Sequence, residues 1–217
     1  MNIVSNKHLR PPAFRLGFGT LAAAFVLALA TATLPAAAQQ TTLKAMSLKD
    51  MSLNDRLELC SACHGADGNS KMEKIPSLAG QPEFFLLNQL VLMREGVRRI
   101  EVMEDAIKGL KDEDIQALAT HFSKLVPKPS EEKIETELVS KGEAMSKQLR
   151  CASCHLPTMA GQEQMPRLAK QRVDYMFEAM KQYRDNKRAG ADTAMTAVIV
   201  GIGDGDLEAL AHYVSSR

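Results

Sequence analysis

The chain has 217 residues, 27 Lys and Arg against 26 Asp and Glu, no Trp, and only 5% aromatic residues. A balance so near neutrality excludes the broad basic surface on which nucleic-acid binding depends. The length permits one ordinary domain or two small ones, and small domains this poor in large side chains bury too little surface to be stable unaided.

Residues 1–38 predict an export signal. Lys7, Arg10 and Arg15 precede the apolar run Leu21 to Ala30, and Ala36 to Ala38 offer a small-residue cleavage site. The uncharged stretch Leu16 to Ala38 is also long enough for an uncleaved membrane anchor. Its alanine content, with Gly17, Gly19 and Pro35, favours the cleaved signal. Removal would leave 24 basic residues against 26 acidic ones.

The next predicted element is a helix over residues 52–64, with Leu53, Leu57 and Cys60 at helical spacing. It ends in the word CSACH, Cys60 to His64. A second helix is expected over residues 83–97, apolar almost all round at its start. A third is expected over residues 112–125, with Ile115, Leu118, Phe122 and Leu125 on one stripe and Asp112 placed to cap it. The segment VPKPSEEK, Val126 to Lys133, then breaks any helix with two prolines and a charge cluster.

Beyond that break the sequence repeats itself. CASCH (Cys151 to His155) matches CSACH at an offset of 91, PRLAKQ (Pro166 to Gln171) matches PSLAGQ (Pro76 to Gln81) at 90, and DGDLEALAHYV (Asp204 to Val214) matches DEDIQALATHF (Asp112 to Phe122) at 92. Two copies indicate duplicated domains rather than a solenoid. The expected domains are residues 39–128 and 129–217. No stretch alternates like a half-buried strand, so the expected class is all-α.

The two pentapeptides contain all four cysteines. A redox dithiol would need a βαβ setting and has no use for the histidine. A structural zinc site needs four ligands, which four thiols and two imidazoles could supply only by joining the two repeats. Cys-x-x-Cys-His is also the signature of c-type haem attachment, and its duplication in register points to two covalent haems, held by Cys60 and Cys63 and by Cys151 and Cys154. His64 and His155 then each become an iron ligand.

The opposite iron ligand is sought among twelve methionines, most of which are expected to be core filler. Only Met103 and Met195 fall opposite each other at the repeat offsets, 39 residues after His64 and 40 after His155. A thioether there raises the reduction potential. His121 and His212 are one position out of register and read as surface or interface histidines. Asp112 and Asp114, with Asp204 and Asp206, read as helix-start carboxylates rather than a catalytic pair. Arg94, Arg98 and Arg99, with Arg184, Lys187 and Arg188, read as solvated helix ends, with pairing to haem propionates as the lesser alternative.

The two haem words, the PSLAGQ-like stretches and the Met…LKDEDIQALATHF ending together resemble the two-domain di-haem cytochromes c of the cytochrome c4 type. The resemblance implies a small cytochrome c fold in each domain, with Cys60, Cys63, His64 and Met103 holding one haem and Cys151, Cys154, His155 and Met195 the other. It further implies that Pro76 and Pro166 supply a carbonyl that accepts a hydrogen bond from the ligand histidine. The implied role is periplasmic electron transfer between respiratory donors, such as a bc-type complex, and a membrane terminal oxidase, with possible peripheral association with the membrane. The alternatives are the electron-accepting subunit of a periplasmic dehydrogenase and, from a different class, a di-haem peroxidase. The second repeat departs from the family pattern at Leu156 and Pro157, at Lys170 (against Gly80), and in the lack of a proline before Met195.

Overall fold

Nine helices order the residues that the computed structural model describes, 51–190 and 193–217, with no strand among them and one isolated bridge between Gln162 and Met165. The export signal expected at residues 1–38 lies outside these residues. Among the described residues no helix is long and apolar enough to cross a membrane.

The first lobe contains α1 (Leu53–His64), α2 (Glu83–Arg94), α3 (Glu104–Ile107) and α4 (Asp112–Ser123), with a 3-10 turn, Glu101–Met103, leading into α3. Ser52 starts α1. Its hydroxyl accepts the Asp55 N–H at 3.2 Å while the Asp55 carboxylate accepts the Ser52 N–H at 3.1 Å, a reciprocal cap that satisfies two otherwise orphaned donors. Leu86 and Met93 from α2 pack with Ile115, Leu118 and Phe122 from α4, and Leu57, Cys60 and Leu125 close round them. The expected stripe on α1 is therefore carried by Leu57 and Cys60 alone, since Leu53 is exposed. Arg56, buried in α1, reaches Asp114 of α4 at 3.3 Å.

The second lobe contains α5 (Thr136–Gln148), α6 (Ala152–His155), α7 (Val173–Arg184), α8 (Thr193–Ile199) and α9 (Asp204–Ser215). Val173, Met176 and Met180 of α7 pack with Leu207, Leu210 and Val214 of α9. Where α1 runs unbroken into its pentapeptide, the second lobe interrupts the helix: Arg150 takes φ +57° between α5 and α6. Gly142 lets α5 and α9 cross closely, because a Cβ there would lie 2.0 Å from the Ala209 carbonyl oxygen.

The closing helices begin differently from the expected Asp112 cap. Lys111 is the cap residue of α4, its N–H held by the Asp114 carboxylate at 2.9 Å, and Asp112 is free to meet Arg94 at 2.6 Å. The second lobe repeats this. Gly203 precedes α9, and Arg184 bridges to Asp204 and to the Ile202 carbonyl, as Arg94 does to Asp112 and the Leu110 carbonyl. Arg94 and Arg184 thus tie α2 and α7 to the helices that close their lobes.

The segment between the lobes is fastened at both ends. Asn69 of the first lobe donates to the Val126 carbonyl at 3.1 Å and accepts the Lys128 N–H at 2.8 Å. Four residues on, the Glu132 carboxylate accepts the Val173 and Asp174 N–H groups at 2.9 and 3.0 Å, capping α7.

Candidate functional site

The carboxy-terminal turn of α1 presents Cys60, Cys63 and His64, and α6 with the residue before it presents Cys151, Cys154 and His155. None of the four cysteines is in a disulfide. The two sets line one continuous cavity of about 1410 Å³, together with Met103, Met195, Pro76 and Pro166. This is larger than the roughly 300–1,000 Å³ usual for one small-molecule site. Much of its wall is apolar, with Leu86, Met93, Leu118 and Phe122 on one side and Met176, Met180, Ile199 and Leu210 on the other.

Both histidines are buried and held in the same way. His64 Nδ1 lies 2.8 Å from the Pro76 carbonyl oxygen, and His155 Nδ1 lies 2.9 Å from that of Pro166. A carbonyl can only accept, so the proton sits on Nδ1 and Nε2 is left with its lone pair. Burial pushes the pKa of both imidazoles below the usual histidine value, which keeps that lone pair available. Burial likewise raises the Cys60 and Cys151 thiols above the ordinary thiol range.

Met103 belongs to the 3-10 turn and packs against the core of the first lobe, whereas Met195 in α8 packs against that of the second. Both sit in the stretch before the closing helix, as the repeat predicts, and each shares the cavity with the histidine of its own lobe. Among the described residues no three His, Cys, Asp or Glu side chains gather as a metal cluster, which leaves no support for a zinc site joining the repeats.

The backbone at the divergent positions keeps the shape set by glycine in the first lobe. Gly65 has φ +87°, and a Cβ there would lie 2.3 Å from the Asn69 carbonyl oxygen. Its counterpart Leu156 holds φ +67°, and Lys170 holds φ +58° opposite Gly80 at +64°. The second lobe therefore adopts the same turns with side chains that disfavour them.

Arg98 and Arg188 line the cavity, which favours the lesser of the two sequence readings, a pairing with haem carboxylates, over solvated helix ends. Their hydrogen-bond partners are uncharged: Gln89 for Arg98 at 2.6 Å and the Tyr175 hydroxyl for Arg188 at 3.4 Å. Burial, and then the neighbouring Arg188 charge, pull the Arg98 guanidinium below its ordinary pKa. Burial alone lowers Arg167 to about 10. His212 is not a surface residue: it is buried in α9, and its Nδ1 accepts the Glu135 N–H at 3.2 Å ahead of α5. His121 stays partly exposed, edge-on to Phe122. Gln81 and Gln171, buried between the lobes, also escaped notice.

The donor set fits covalent haem: paired cysteines outside any disulfide, an imidazole fixed through its far nitrogen, a thioether in the same cavity, and an apolar wall with cations. The model of the Cytochrome c family matches residues 139–217. Cytochrome c4 of Pseudomonas aeruginosa is 30% identical over 167 residues, covering 72% of this chain and 82% of that protein. A thiosulfate dehydrogenase electron acceptor of Thiomonas intermedia is 32% identical over 171 residues, covering 73% of this chain and 78% of that protein. Reduced recombinant cytochrome c4 from Pseudomonas stutzeri has a similar structure, with a TM-score of 0.68 at 28% identity over 76% of this chain and 98% of that one. With two cytochrome c domains, two covalently bound haem c groups and electron transfer to redox partner proteins as its function, the chain belongs to the cytochrome c4 family.

Proposed function

We infer that the chain is an exported, periplasmic electron shuttle. Residues 1–38 serve as its signal, and residues 39–128 and 129–217 form one haem domain each. Cys60 and Cys63 in the first domain, and Cys151 and Cys154 in the second, form thioether bonds to their haems. His64 and Met103 hold one iron, and His155 and Met195 the other. The observation that carries this reading is the paired geometry of the two histidines, each with Nδ1 bonded to a proline carbonyl, at 2.8 and 2.9 Å, in a cavity also lined by the four cysteines, Met103 and Met195. The fastening of Lys128 to the first lobe and of Glu132 to the second supports a boundary at 128/129.

Bound haem supplies a one-electron ferrous–ferric couple. What the protein residues do is hold geometry and set potential. Pro76 and Pro166 fix the imidazole planes and raise the basicity of Nε2. Met103 and Met195 favour the reduced iron. Arg98 and Arg188, the first part-buried and the second buried, offer positive charge to the carboxylates of the haem edges.

Two tests apply. Acid–organic extraction leaves the colour with the polypeptide, and the mass exceeds that of the mature sequence by two haem groups. Membranes carrying a terminal oxidase reoxidise the reduced protein. The likeness to a thiosulfate dehydrogenase electron acceptor favours a second reading, in which the donor is a dehydrogenase of that kind. Rapid reduction by such an enzyme with thiosulfate, and slow exchange with a quinol-oxidising complex, would select it.

A further inference from the structure

Among the contacts between the two lobes is a pair of reciprocal amide pairings. Gln171 accepts the Ser77 N–H at 2.8 Å and donates to the Ser77 carbonyl at 2.8 Å. Gln81 accepts the Arg167 N–H at 2.9 Å and donates to the Arg167 carbonyl at 2.9 Å. Each side-chain amide faces both a donor and an acceptor of one residue, so its orientation is fixed by the pairing. Ser77, Gln81, Arg167 and Gln171 are all buried, with Gln171 only 2% exposed.

Ser77 and Arg167 directly follow Pro76 and Pro166. The Pro76 carbonyl that holds His64 and the Ser77 N–H that Gln171 holds therefore belong to one peptide unit. The Pro166 carbonyl that holds His155 and the Arg167 N–H that Gln81 holds belong to another. Two hydrogen-bonded chains result, and they cross. The first runs from His64 through one peptide to Gln171 of the second lobe, and the other from His155 to Gln81 of the first.

A peptide is a resonant unit. When its N–H donates, electron density shifts to its carbonyl oxygen, which becomes a stronger acceptor, so linked hydrogen bonds strengthen one another. A stronger acceptor at Nδ1–H makes Nε2 more electron-donating, which favours ferric iron. We propose that Gln171 lowers the potential of the haem bound by His64, and Gln81 that of the haem bound by His155. Each glutamine is a positioning residue for the haem of the opposite lobe. This rests on His64 and His155 being the iron ligands.

The experiment uses the full di-haem protein. Gln171→Met and Gln81→Met keep the length of the side chain and remove its amide. Redox titration with the two haems resolved by their NMR signals is expected to show Gln171→Met raising the potential of the His64 haem several-fold more than that of the other. Gln81→Met gives the mirror image. In the reduced protein the His64 Nδ1–H resonance moves upfield in Gln171→Met while that of His155 stays in place. Gln171→Glu keeps an oxygen for the Ser77 N–H, so the His64 haem shows no such rise. Low-spin spectra that match the wild type, with potentials unmoved, moved equally, or moved on the same lobe as the substitution, overturn the crossed chains and leave the ligand assignment standing. A rise in Gln171→Glu equal to that in Gln171→Met overturns them as well. A wild-type spectrum lacking imidazole at either iron overturns both.

Discussion

Gly142→Ala tests how closely α5 and α9 must approach. In an isolated helix the change would stabilise by about 1 kcal/mol, because glycine is a poor helix former. Here the added methyl carbon would sit 2.0 Å from the Ala209 carbonyl oxygen, 2.6 Å from its carbonyl carbon and 2.8 Å from Tyr213 Cβ. Two of these neighbours are backbone, so no rotamer change relieves the contact and the helices must separate. Inserting one methyl into a packed interface costs about 1–3 kcal/mol when side chains can adjust. Rigid neighbours place this site at or above the upper end, so after the gain in helix propensity the net loss is about 2 kcal/mol. Denaturant unfolding of the di-haem protein, followed by far-ultraviolet circular dichroism, should show a lower midpoint with an unchanged slope. A variant as stable as the wild type, or more so, would refute the claim that contact at Gly142 sets the crossing.

Met103→His and Met195→His should each lower one midpoint potential and leave the other nearly in place, because loss of the thioether removes its preference for ferrous iron; a redox titration with resolved haems checks this. Lys170→Gly should stabilise the second lobe by up to about 1 kcal/mol, since φ +58° suits glycine better than lysine, and thermal unfolding measures it. Stability should fall as pH drops through the ordinary carboxylate range toward 2, because Lys128 and the Asn69 N–H hold the Asp67 carboxyl at about 2 in the fold. Unfolding free energies of the wild type and Asp67→Asn across this range check it, since the variant should lose part of that acid slope.

What the sequence made legible was local or duplicated. The pentapeptides announce their chemistry within five residues. The closing helices show their stripe through Ile115, Leu118 and Phe122. Met103 and Met195 emerge because duplication places them opposite each other, and the fold puts both at the cavity. The break between α5 and α6 was not legible, since a residue such as Arg150 gives no sign that it will take φ +57°. His212 misled for a different reason. A histidine out of register looks free, and its burial depends on a backbone donor 77 positions away in sequence. The partners of Gln81 and Gln171 lie 86 and 94 positions away and become neighbours only when the lobes meet. The repeat did mark both glutamines as equivalent, in LAGQ and LAKQ, and that equivalence was the one available hint of a shared task.

The doubly fastened segment between the lobes bears on how weak their contact can afford to be. Hydrogen bonds such as the four amide contacts, Arg167 to the Ala79 carbonyl and the Lys74 N–H to Asp174, each contributing about 0.5–1.5 kcal/mol net, would hold two separate chains only modestly. With Lys128 held on one side and Glu132 on the other, the partner surface is always present at an effective concentration in the millimolar range or above. Polar and reversible contacts then suffice, and the lobes can loosen locally and re-register without diffusing apart.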